Sequence, residues 1–436
     1  MKKITATALL FASINSHADP ILSIEQQLGE RLFSDKNLSL NKNQSCSSCH
    51  SLKPAHAKSA VSKWVPGFVD PDNVRSGSPV SSGSIPGLTG NLNAPSVGYA
   101  AHSPEFHWDE AEGLYIGGQF WNGRAGNLSE QAKMPFLNPV EMAMPNELAV
   151  VNRLEQDKTY QRLFNDVYGL NLNGISAQYK TKTDQSEKVA QIFQSVAKAI
   201  SAYEQSPVFN KFNSKFDYVL AGKTGFTAQE AKGFEIFNGK GNCAACHISD
   251  ATFSEDGNIQ PPLFTDFSYD NIGLPRNVNI PGNPEPNLGL GGRDDLAADS
   301  APDELGKHKV MSLRNIALTA PYGHNGSMAT LEQIVHFYNT RDTLDYVNDI
   351  NHPGFGRTGW PEPEVSDNVN QDELGNLGLS DEEEKDLVAF LKTLTDDYPK
   401  WGHDRRVPPW SLSPFSQPVR PVNHHAKLIN AQHQLP

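Results

Sequence analysis

This chain of 436 residues has few cysteines, no long apolar run and a deficit of basic residues. It has four cysteines, but a disulfide framework is typical of small secreted domains that are short of core, and a chain of this length buries its core without one. No segment approaches the ~20 apolar residues of a membrane-spanning helix. Lys and Arg number 37 against 50 Asp and Glu, and the net charge of −13 argues against nucleic acid and anionic lipid as partners. Convincing strand alternation is also lacking, which indicates a mainly α-helical class.

All four cysteines fall in two C-x-x-C-H motifs, Cys46 to His50 and Cys243 to His247. This motif is the attachment signature of c-type haem, in which both thiols bond to the haem and the histidine ligates the iron. Paired zinc knuckles are the alternative, but they lie about 15–20 residues apart, whereas these pairs lie in different halves of the chain. The sequence therefore predicts two covalently bound haem c groups, held by Cys46, Cys49 and His50 and by Cys243, Cys246 and His247.

The N-terminus has the pattern of a secretory signal peptide. Lys2 and Lys3 precede a mostly apolar stretch from Ala6 to Ile14, and Ser16-His17-Ala18 offers a small-x-small cleavage site. We expect residues 1–18 to be removed on export, because c-type haem is attached outside the cytoplasm in bacteria. We therefore expect a periplasmic protein without a membrane span. Association with the cell surface is the alternative.

Patterning along the rest of the chain predicts two haem-bearing domains, 19–208 and 209–400, followed by a proline-rich tail, 401–436. Apolar periodicity predicts helices over Ser23–Phe33, Asn146–Leu154 and Ser186–Tyr203. Capping-box patterns at Thr227, Ser380 and Thr330 predict three more helices. Segments 65–97 and 250–307 are rich in glycine and proline and are predicted to be loops. The expected fold is mainly α, with two cytochrome c-like haem domains and long irregular loops.

Several separated segments, in order from about Leu28 to Leu394, resemble the bacterial di-haem cytochrome c peroxidases and their relatives of the MauG type. They are Gln119-Phe120-Trp121-Asn122-Gly123-Arg124-Ala125, Leu128-Ser129-Glu130-Gln131-Ala132, Asn138-Pro139-Val140-Glu141-Met142 and the run from Leu313 to Gly326. The resemblance implies a reaction with hydrogen peroxide at the first haem. It also implies a protein partner, which is either a substrate or a small redox protein that donates electrons.

The resemblance assigns roles to particular residues. Trp121 matches the tryptophan that relays electrons between the haems, while Gln131 and Glu141 match the residues on the open face of the first haem. A calcium ion between the haems is implied, with Asn93, Thr319 and Pro321 as its ligands. A carboxyl in an enclosed pocket suits peroxide cleavage, because burial raises its pKa and lets it carry a proton between the two oxygens. From the residues alone, Gln131 and Glu141 are also compatible with a surface glutamine and a loop carboxylate, and Trp121 with a packed indole.

Tyr338 stands seventeen residues after Pro321, where the peroxidases have the methionine that ligates the second haem. Relatives of the MauG type have tyrosine there. A phenolate is a hard anionic donor that stabilises ferric and higher iron states, whereas a thioether favours the ferrous state. The rival ligands nearby are Met328, His324 and His336, and a core aromatic is the structural alternative.

A second departure concerns the first haem. Many of the peroxidases have a histidine sixteen residues after the first motif, which blocks this haem, and here that position is Pro66. We therefore expect the first haem to be held by His50 alone, with His56, His102 and His107 as alternative blocking ligands. The segment from His102 to Gly118 is aromatic and acidic, and is interpreted as either a docking surface or a lid.

Three functions remain in contention. The first is a MauG-like oxidant, in which high-valent iron is shared between the haems and used on a residue of a partner protein. The second is a peroxidase that reduces hydrogen peroxide to water with electrons from a small cytochrome c or copper protein. The third is a non-catalytic di-haem electron carrier.

Overall fold

The structure is a computed structural model that describes residues 22–54, 65–175, 187–253, 257–283, 285–296, 300–398 and 413–415. The predicted signal peptide, His56 and all of the proline-rich tail except residues 413–415 lie outside the described residues. None of the described helices is both long enough and apolar enough to cross a membrane.

Most of the regular structure in the described residues is helical, as predicted. The α-helices are α1 (Ile24–Ser34), α2 (Cys46–Cys49), α3 (Pro71–Ser76), α4 (Leu128–Leu137), α5 (Glu147–Glu155), α6 (Lys158–Tyr168), α7 (Glu187–Glu204), α8 (Lys215–Leu220), α9 (Ala228–Asn238), α10 (Leu331–Thr340) and α11 (Asp381–Lys392). Short 3-10 turns lie at Lys36–Leu38, Ala100–His102, Cys243–Ala245, Gly289–Gly292, Ala301–Glu304 and Ile316–Leu318.

The strands are two or three residues long and occur in pairs. They are β1 (His107–Asp109) with β2 (Leu114–Ile116), β3 (Thr252–Phe253) with β4 (Ile259–Gln260), β5 (Tyr269–Asp270) with β6 (His308–Lys309), and β7 (Asp345–Tyr346) with β8 (Gly359–Trp360). The first three pairs are antiparallel and the last is parallel. Such short ribbons add no sheet layer, so the helices and loops build the core.

In the described part of each half, two helices cross closely at a glycine. In the first half α1 packs on α7, and a Cβ atom at Gly29 would overlap the carbonyl oxygen of Ala199. In the second half α9 packs on α11, and a Cβ atom at Gly233 would overlap the carbonyl oxygen of Asp386. Each crossing follows from the absence of a side chain at one position, and each leads the chain into a C-x-x-C-H motif.

Two hydrophobic clusters fill these halves. The first extends from Leu28 to Phe209 and the second from Phe216 to Leu394. Helix α7 contributes to the first cluster and ends at Glu204, whereas α8 begins at Lys215 and contributes to the second. The bounds of the two domains stay a prediction.

Three segments differ from the sequence-based expectations. Residues 250–307, predicted to be a loop, contain strands β3, β4 and β5 and two 3-10 turns. Residues 65–97, predicted to be a loop, contain helix α3, which has Pro71 in its first turn and Asp70 as its N-cap, with the Asp70 carboxylate accepting from Asp72 N–H. Residues 102–118 contain the β1–β2 hairpin, although no strand was predicted. Six-residue helices and three-residue strands are too short to give a periodic signal.

Candidate haem cavities and the segment between them

The first C-x-x-C-H motif lines a cavity, the first cavity, from helix α2. Cys46, Cys49 and His50 all face it. His50 Nδ1 lies 3.4 Å from the carbonyl oxygen of Phe68. Burial lowers the pKa of His50 to about 4, so the imidazole is neutral. A neutral ring whose Nδ1 faces a carbonyl presents Nε2 as a metal ligand.

The second motif repeats this arrangement in a second cavity. Cys243, Cys246 and His247 line it, and His247 Nδ1 lies 2.9 Å from the carbonyl oxygen of Phe264. Burial also lowers the pKa of His247. Phe68 and Phe264 both have a left-handed backbone, with φ of 56° and 55°. The same local device therefore orients the histidine in each half of the chain.

The four thiols fit covalent haem attachment better than zinc binding. Each cavity receives the two cysteines of one motif, so that the pairs do not converge on one site. Both cavities are lined mainly by apolar surface, which suits the ring of a haem. The residues present therefore fit one haem c in each cavity.

Gln131 and Glu141 lie in the wall of the first cavity, as predicted from the resemblance. Burial raises the pKa of Glu141, while Asn138 Nδ2 donates to Glu141 Oε1 at 2.8 Å and holds the carboxyl in place. The structure thus brings an uncharged hydrogen-bonding group and a carboxyl of raised pKa to the cavity that contains His50.

His50 is the only histidine among the described residues that line the first cavity. His102 is buried against the rings of Tyr99 and Phe212, and His107 is exposed on β1. Pro66 is buried and does not line the cavity. Within the described part of the chain, the expectation of a single histidine at the first haem is therefore consistent with the geometry.

Tyr338 projects from α10 into the second cavity, which it shares with His247. Burial raises the pKa of its phenol, so the proton leaves only when a cation replaces it. Of the rival ligands, Met328 and His336 do not line this cavity. His324 lines it, but its Nε2 lies 2.8 Å from Glu364 Oε2 and its ring stacks on His308 with 3.6 Å between centroids.

Met311 and His308 also line the second cavity, although neither was predicted from the sequence. Met311 follows strand β6 and lines the wall on the side toward the first half. No local pattern distinguishes this methionine from an ordinary core residue.

Trp121 lines both haem cavities and also a third, the middle cavity. Its indole Nε1 donates to the carbonyl oxygen of Asn93 at 2.8 Å. Its own carbonyl accepts from the backbone N–H of Lys309 at 2.8 Å. The indole therefore lies between the two haem cavities, held by one segment from each half.

The middle cavity brings together the three residues predicted to bind calcium, since Asn93, Thr319 and Pro321 all line it. The Asn93 side-chain amide donates to the carbonyl oxygen of Pro79 at 3.0 Å. That hydrogen bond uses the nitrogen and leaves Asn93 Oδ1 for a cation. Amide and carbonyl oxygens are ligands that Ca²⁺ prefers.

Glu204 is a further residue of the first cavity that sequence reasoning missed. It is the last residue of α7, is 3% exposed and lines the cavity, and its Oε2 has no hydrogen-bond partner. Burial raises the pKa of its carboxyl to about 8. The signal in the sequence is its spacing, because Glu204 follows Ile200 by four residues and so shares the apolar face of α7.

Comparisons with known proteins agree with this geometry. The family model for di-haem cytochrome c peroxidases matches residues 24–225. The methylamine utilization protein MauG of Paracoccus denitrificans is 40% identical over 374 residues, which cover 85% of this chain and 88% of that protein. The cytochrome c551 peroxidase of Nitrosomonas europaea is 28% identical over 401 residues, with 90% and 86% covered.

Solved structures give the same result. The diheme peroxidase BthA of Burkholderia thailandensis aligns with a TM-score of 0.67 at 28% identity, over 87% of this chain and 88% of that one. A MauG-like protein associated with microbial copper homeostasis aligns with a TM-score of 0.59 at 28% identity, over 92% and 98%. Two C-x-x-C-H cavities with a shared tryptophan, in a chain 40% identical to a MauG protein, make this an oxidoreductase that belongs to the family of di-haem cytochrome c peroxidases and MauG proteins.

Proposed function

We propose that this protein is a periplasmic enzyme that reacts with hydrogen peroxide in the first cavity and uses the oxidising equivalents on a residue of a partner protein, as a MauG-like oxidant. The observation that carries the proposal is the position of Tyr338, which faces the second cavity together with His247. A tyrosine ligand favours oxidised iron, so the second haem would be oxidised along with the first instead of storing an electron. The signal-peptide pattern supports the periplasmic location.

The residues that would hold the cofactors follow from the two motifs. Cys46 and Cys49 would bond to one haem and His50 would ligate it, while Cys243, Cys246, His247 and Tyr338 would do the same for the other. Bound haem would supply a redox-active iron in each cavity, which is the chemistry that a two-electron reaction with peroxide needs.

Glu141 is the residue that we assign to proton transfer in the first cavity. Its carboxyl takes the proton from one peroxide oxygen and returns it to the other, and its raised pKa suits both steps. Gln131 contributes a hydrogen bond without adding charge. Trp121, in the walls of both haem cavities, is the proposed electron relay between them. A calcium ion held by Asn93, Thr319 and Pro321 would fix the segment that binds the Trp121 indole.

Spectra of the fully oxidised holoprotein test the proposal directly. We expect electron paramagnetic resonance to show one high-spin and one low-spin ferric haem. One equivalent of peroxide should remove both ferric signals without prior reduction. Two low-spin haems that respond only after one is reduced would contradict the proposal.

Variants at Tyr338 test the ligand assignment. Tyr338→Met and Tyr338→Phe should change the low-spin signal and abolish the joint loss of both ferric signals. Tyr322→Phe is the matched control, because Tyr322 lines the same cavity but its hydroxyl donates to the Ile316 carbonyl oxygen at 2.8 Å. If Met311→Leu altered the low-spin signal and Tyr338→Phe did not, Met311 would be the ligand and the MauG-like assignment would be wrong.

A peroxidase that draws electrons from a small redox protein is the second candidate, and the 28% identity to a cytochrome c551 peroxidase favours it. Steady turnover with reduced cytochrome c, and no covalent change in any partner, would decide for it. Covalent oxidation of a partner residue, in proportion to the peroxide consumed, would decide against it.

A further inference from the structure

The β1–β2 hairpin presents an exposed tryptophan outside the haem cavities. Trp108 on β1 lies opposite Tyr115 on β2 and is 40% exposed. Asp109 closes the turn, with its Oδ1 accepting from the N–H groups of Ala111 and Glu112 at 2.8 and 3.1 Å. An exposed indole held on a strand of an ordered hairpin is a typical contact residue of a protein interface.

The charge of this hairpin has one sign. Glu105, Glu110 and Glu112 are exposed, Asp109 is half-buried, and residues 103–118 contain no Lys or Arg. A patch of carboxylates around an exposed tryptophan attracts a partner with a basic surface and repels an acidic one.

A chain of ring contacts leads inward from Trp108. The Trp108 and Tyr115 rings lie 5.0 Å apart, edge to face, and Tyr115 stacks on Phe106 at 5.2 Å with 5° between the planes. Phe106 then meets the ring of Tyr269 edge to face at 6.0 Å. These four rings, which we call the ring chain, are in continuous contact from the surface to strand β5.

The inner end of the ring chain lies close to Trp121 and to the second cavity. Tyr269 pairs across β5 and β6 with Lys309, whose backbone N–H donates to the carbonyl oxygen of Trp121. The next residue, Asp270, lines the second cavity. The ring chain therefore ends one strand from Trp121 and one residue from the wall of the second cavity.

The inner rings are also fixed in position. The guanidinium of Arg293 lies over the Phe106 ring at 4.1 Å and donates to the carbonyl oxygen of Gly123 at 2.7 Å. The Tyr269 hydroxyl donates to the carbonyl oxygen of Gly117 at 2.5 Å. Gly123 packs so closely that a Cβ atom there would overlap the Tyr269 hydroxyl and approach the Phe106 ring.

We propose that the β1–β2 hairpin is the docking surface for a basic redox-active protein, and that the ring chain is the path by which electrons from that protein reach Trp121 and the haem cavities. The proposal rests on the proposed function, in which a protein is the reductant. Each hydrogen peroxide gains two electrons and two protons and becomes two waters. The partner loses the two electrons, one at a time, and solvent supplies the protons.

Turnover with two donors tests the path. The probes are reduced mitochondrial cytochrome c, a strongly basic protein, and hydroquinone, a small uncharged donor that needs no docking surface. Trp108→Phe and Trp108→Leu should lower the ratio of the cytochrome c rate to the hydroquinone rate roughly tenfold. The control is Tyr346→Leu, which removes an aromatic side chain that is 59% exposed on β7. An unchanged ratio in both Trp108 variants would mean that the rings only anchor the hairpin.

Charge variants test the docking surface. Replacing Glu105, Glu110 and Glu112 together by glutamine should raise the KM for cytochrome c roughly tenfold at low ionic strength and flatten its salt dependence. The matched control replaces three exposed carboxylates elsewhere, Asp345→Asn, Glu362→Gln and Asp367→Asn. Equal effects of the two triple variants would overturn the docking surface.

Cross-linking identifies the docking surface independently of enzymatic activity. Carbodiimide joins carboxylates to lysines at contact, and mass spectrometry should find cytochrome c joined mainly to Glu110 and Glu112. Cross-links concentrated elsewhere would overturn the proposal. If the spectra showed the expected reaction with one equivalent of peroxide but the wild-type protein turned over with neither donor, the electron path would be refuted and the proposed function would stand, and cross-linking would still decide the surface. Turnover of hydroquinone without turnover of cytochrome c would refute only the claim that the partner is a basic protein.

Discussion

At the scale of single residues, burial sets the protonation of the groups in the first cavity. Desolvation lowers the pKa of His50, which favours the neutral imidazole that ligates a metal. It raises the pKa of Glu141 and of Glu204, which favours carboxyls that keep a proton. The cavity therefore combines a neutral imidazole with two carboxyls whose pKa values are raised.

The raised pKa of Glu204 predicts how the stability of the protein changes with pH. The pKa of Glu204 in the native state, about 8, lies above the ordinary value of 4.5. Between pH 4.5 and pH 8 the native state therefore keeps a proton on this carboxyl that the unfolded state has lost. The stabilisation is fully present below pH 4.5 and is lost as the pH rises through 8, by about 1.4 kcal/mol per pH unit. Glu204→Gln should remove this loss, so denaturation midpoints of the variant and the wild type should diverge between pH 5 and pH 8. Glu187→Gln, at the exposed start of α7, is the control. Parallel profiles for Glu204→Gln and the wild type would contradict the assignment.

At the scale of elements, the two helix crossings position the haem motifs. Helix α9 runs from the Thr227 capping box to Asn238 and leads directly to Cys243. Its contact with α11 depends on Gly233, so the crossing fixes where the second motif enters its cavity. The α1–α7 crossing at Gly29 has the same role in the first half.

Adding one methyl group at the second crossing should therefore affect the second haem. Gly233→Ala forces α9 away from α11, and we expect destabilisation of about 1–3 kcal/mol or more, with less haem bound per chain. Gly225→Ala is the control, because nothing lies within 4 Å of a Cβ atom there. The measurements are the thermal unfolding midpoint and the haem content by pyridine haemochrome absorbance. Full haem loading with an unchanged midpoint in Gly233→Ala would show that the crossing tolerates a side chain.

At the scale of the whole molecule, buried polar groups join the two halves. The Tyr99 hydroxyl donates to Asp396 Oδ1 at 2.8 Å and accepts from the Phe212 N–H at 2.9 Å. Beside it the guanidinium of Arg314 pairs with both oxygens of Asp217 at 2.9 and 3.0 Å, and both side chains are fully buried. These contacts hold the walls of the middle cavity, where Tyr99 and Arg314 both lie.

Removing one charge of this pair should destabilise the whole molecule. Asp217→Asn leaves the Arg314 guanidinium buried without its carboxylate, and we expect a loss of about 3–5 kcal/mol. The exposed pair of Lys385 and Glu382 is the control, because Glu382→Gln should change stability by less than about 1 kcal/mol. Denaturation midpoints followed by circular dichroism measure both. A small effect of Asp217→Asn would mean that water reaches the guanidinium.

The sequence by itself determined the local features of this protein. Covalent haem attachment needs only five consecutive residues, and a helix with a capping box needs about ten, so both motifs and the helices beginning after Thr227 and Ser380 were predictable. At Thr330 only half of the predicted box forms, because the Gln333 side chain accepts from the Ala329 N–H instead. Gln131 and Glu141 line the first cavity and Tyr338 lines the second, and the roles that the resemblance assigns to them stay predictions.

Tertiary structure alone decided which distant segments meet. Glu204 enters the first cavity, Met311 enters the second, and the rings of Tyr115, Phe106 and Tyr269 touch across more than 150 residues of chain. No periodicity or motif encodes such contacts, because they depend on how helices and loops from both halves pack around the cavities. The physical reason is that local patterns follow from hydrogen bonds and burial within one element, whereas a site is assembled by packing between elements.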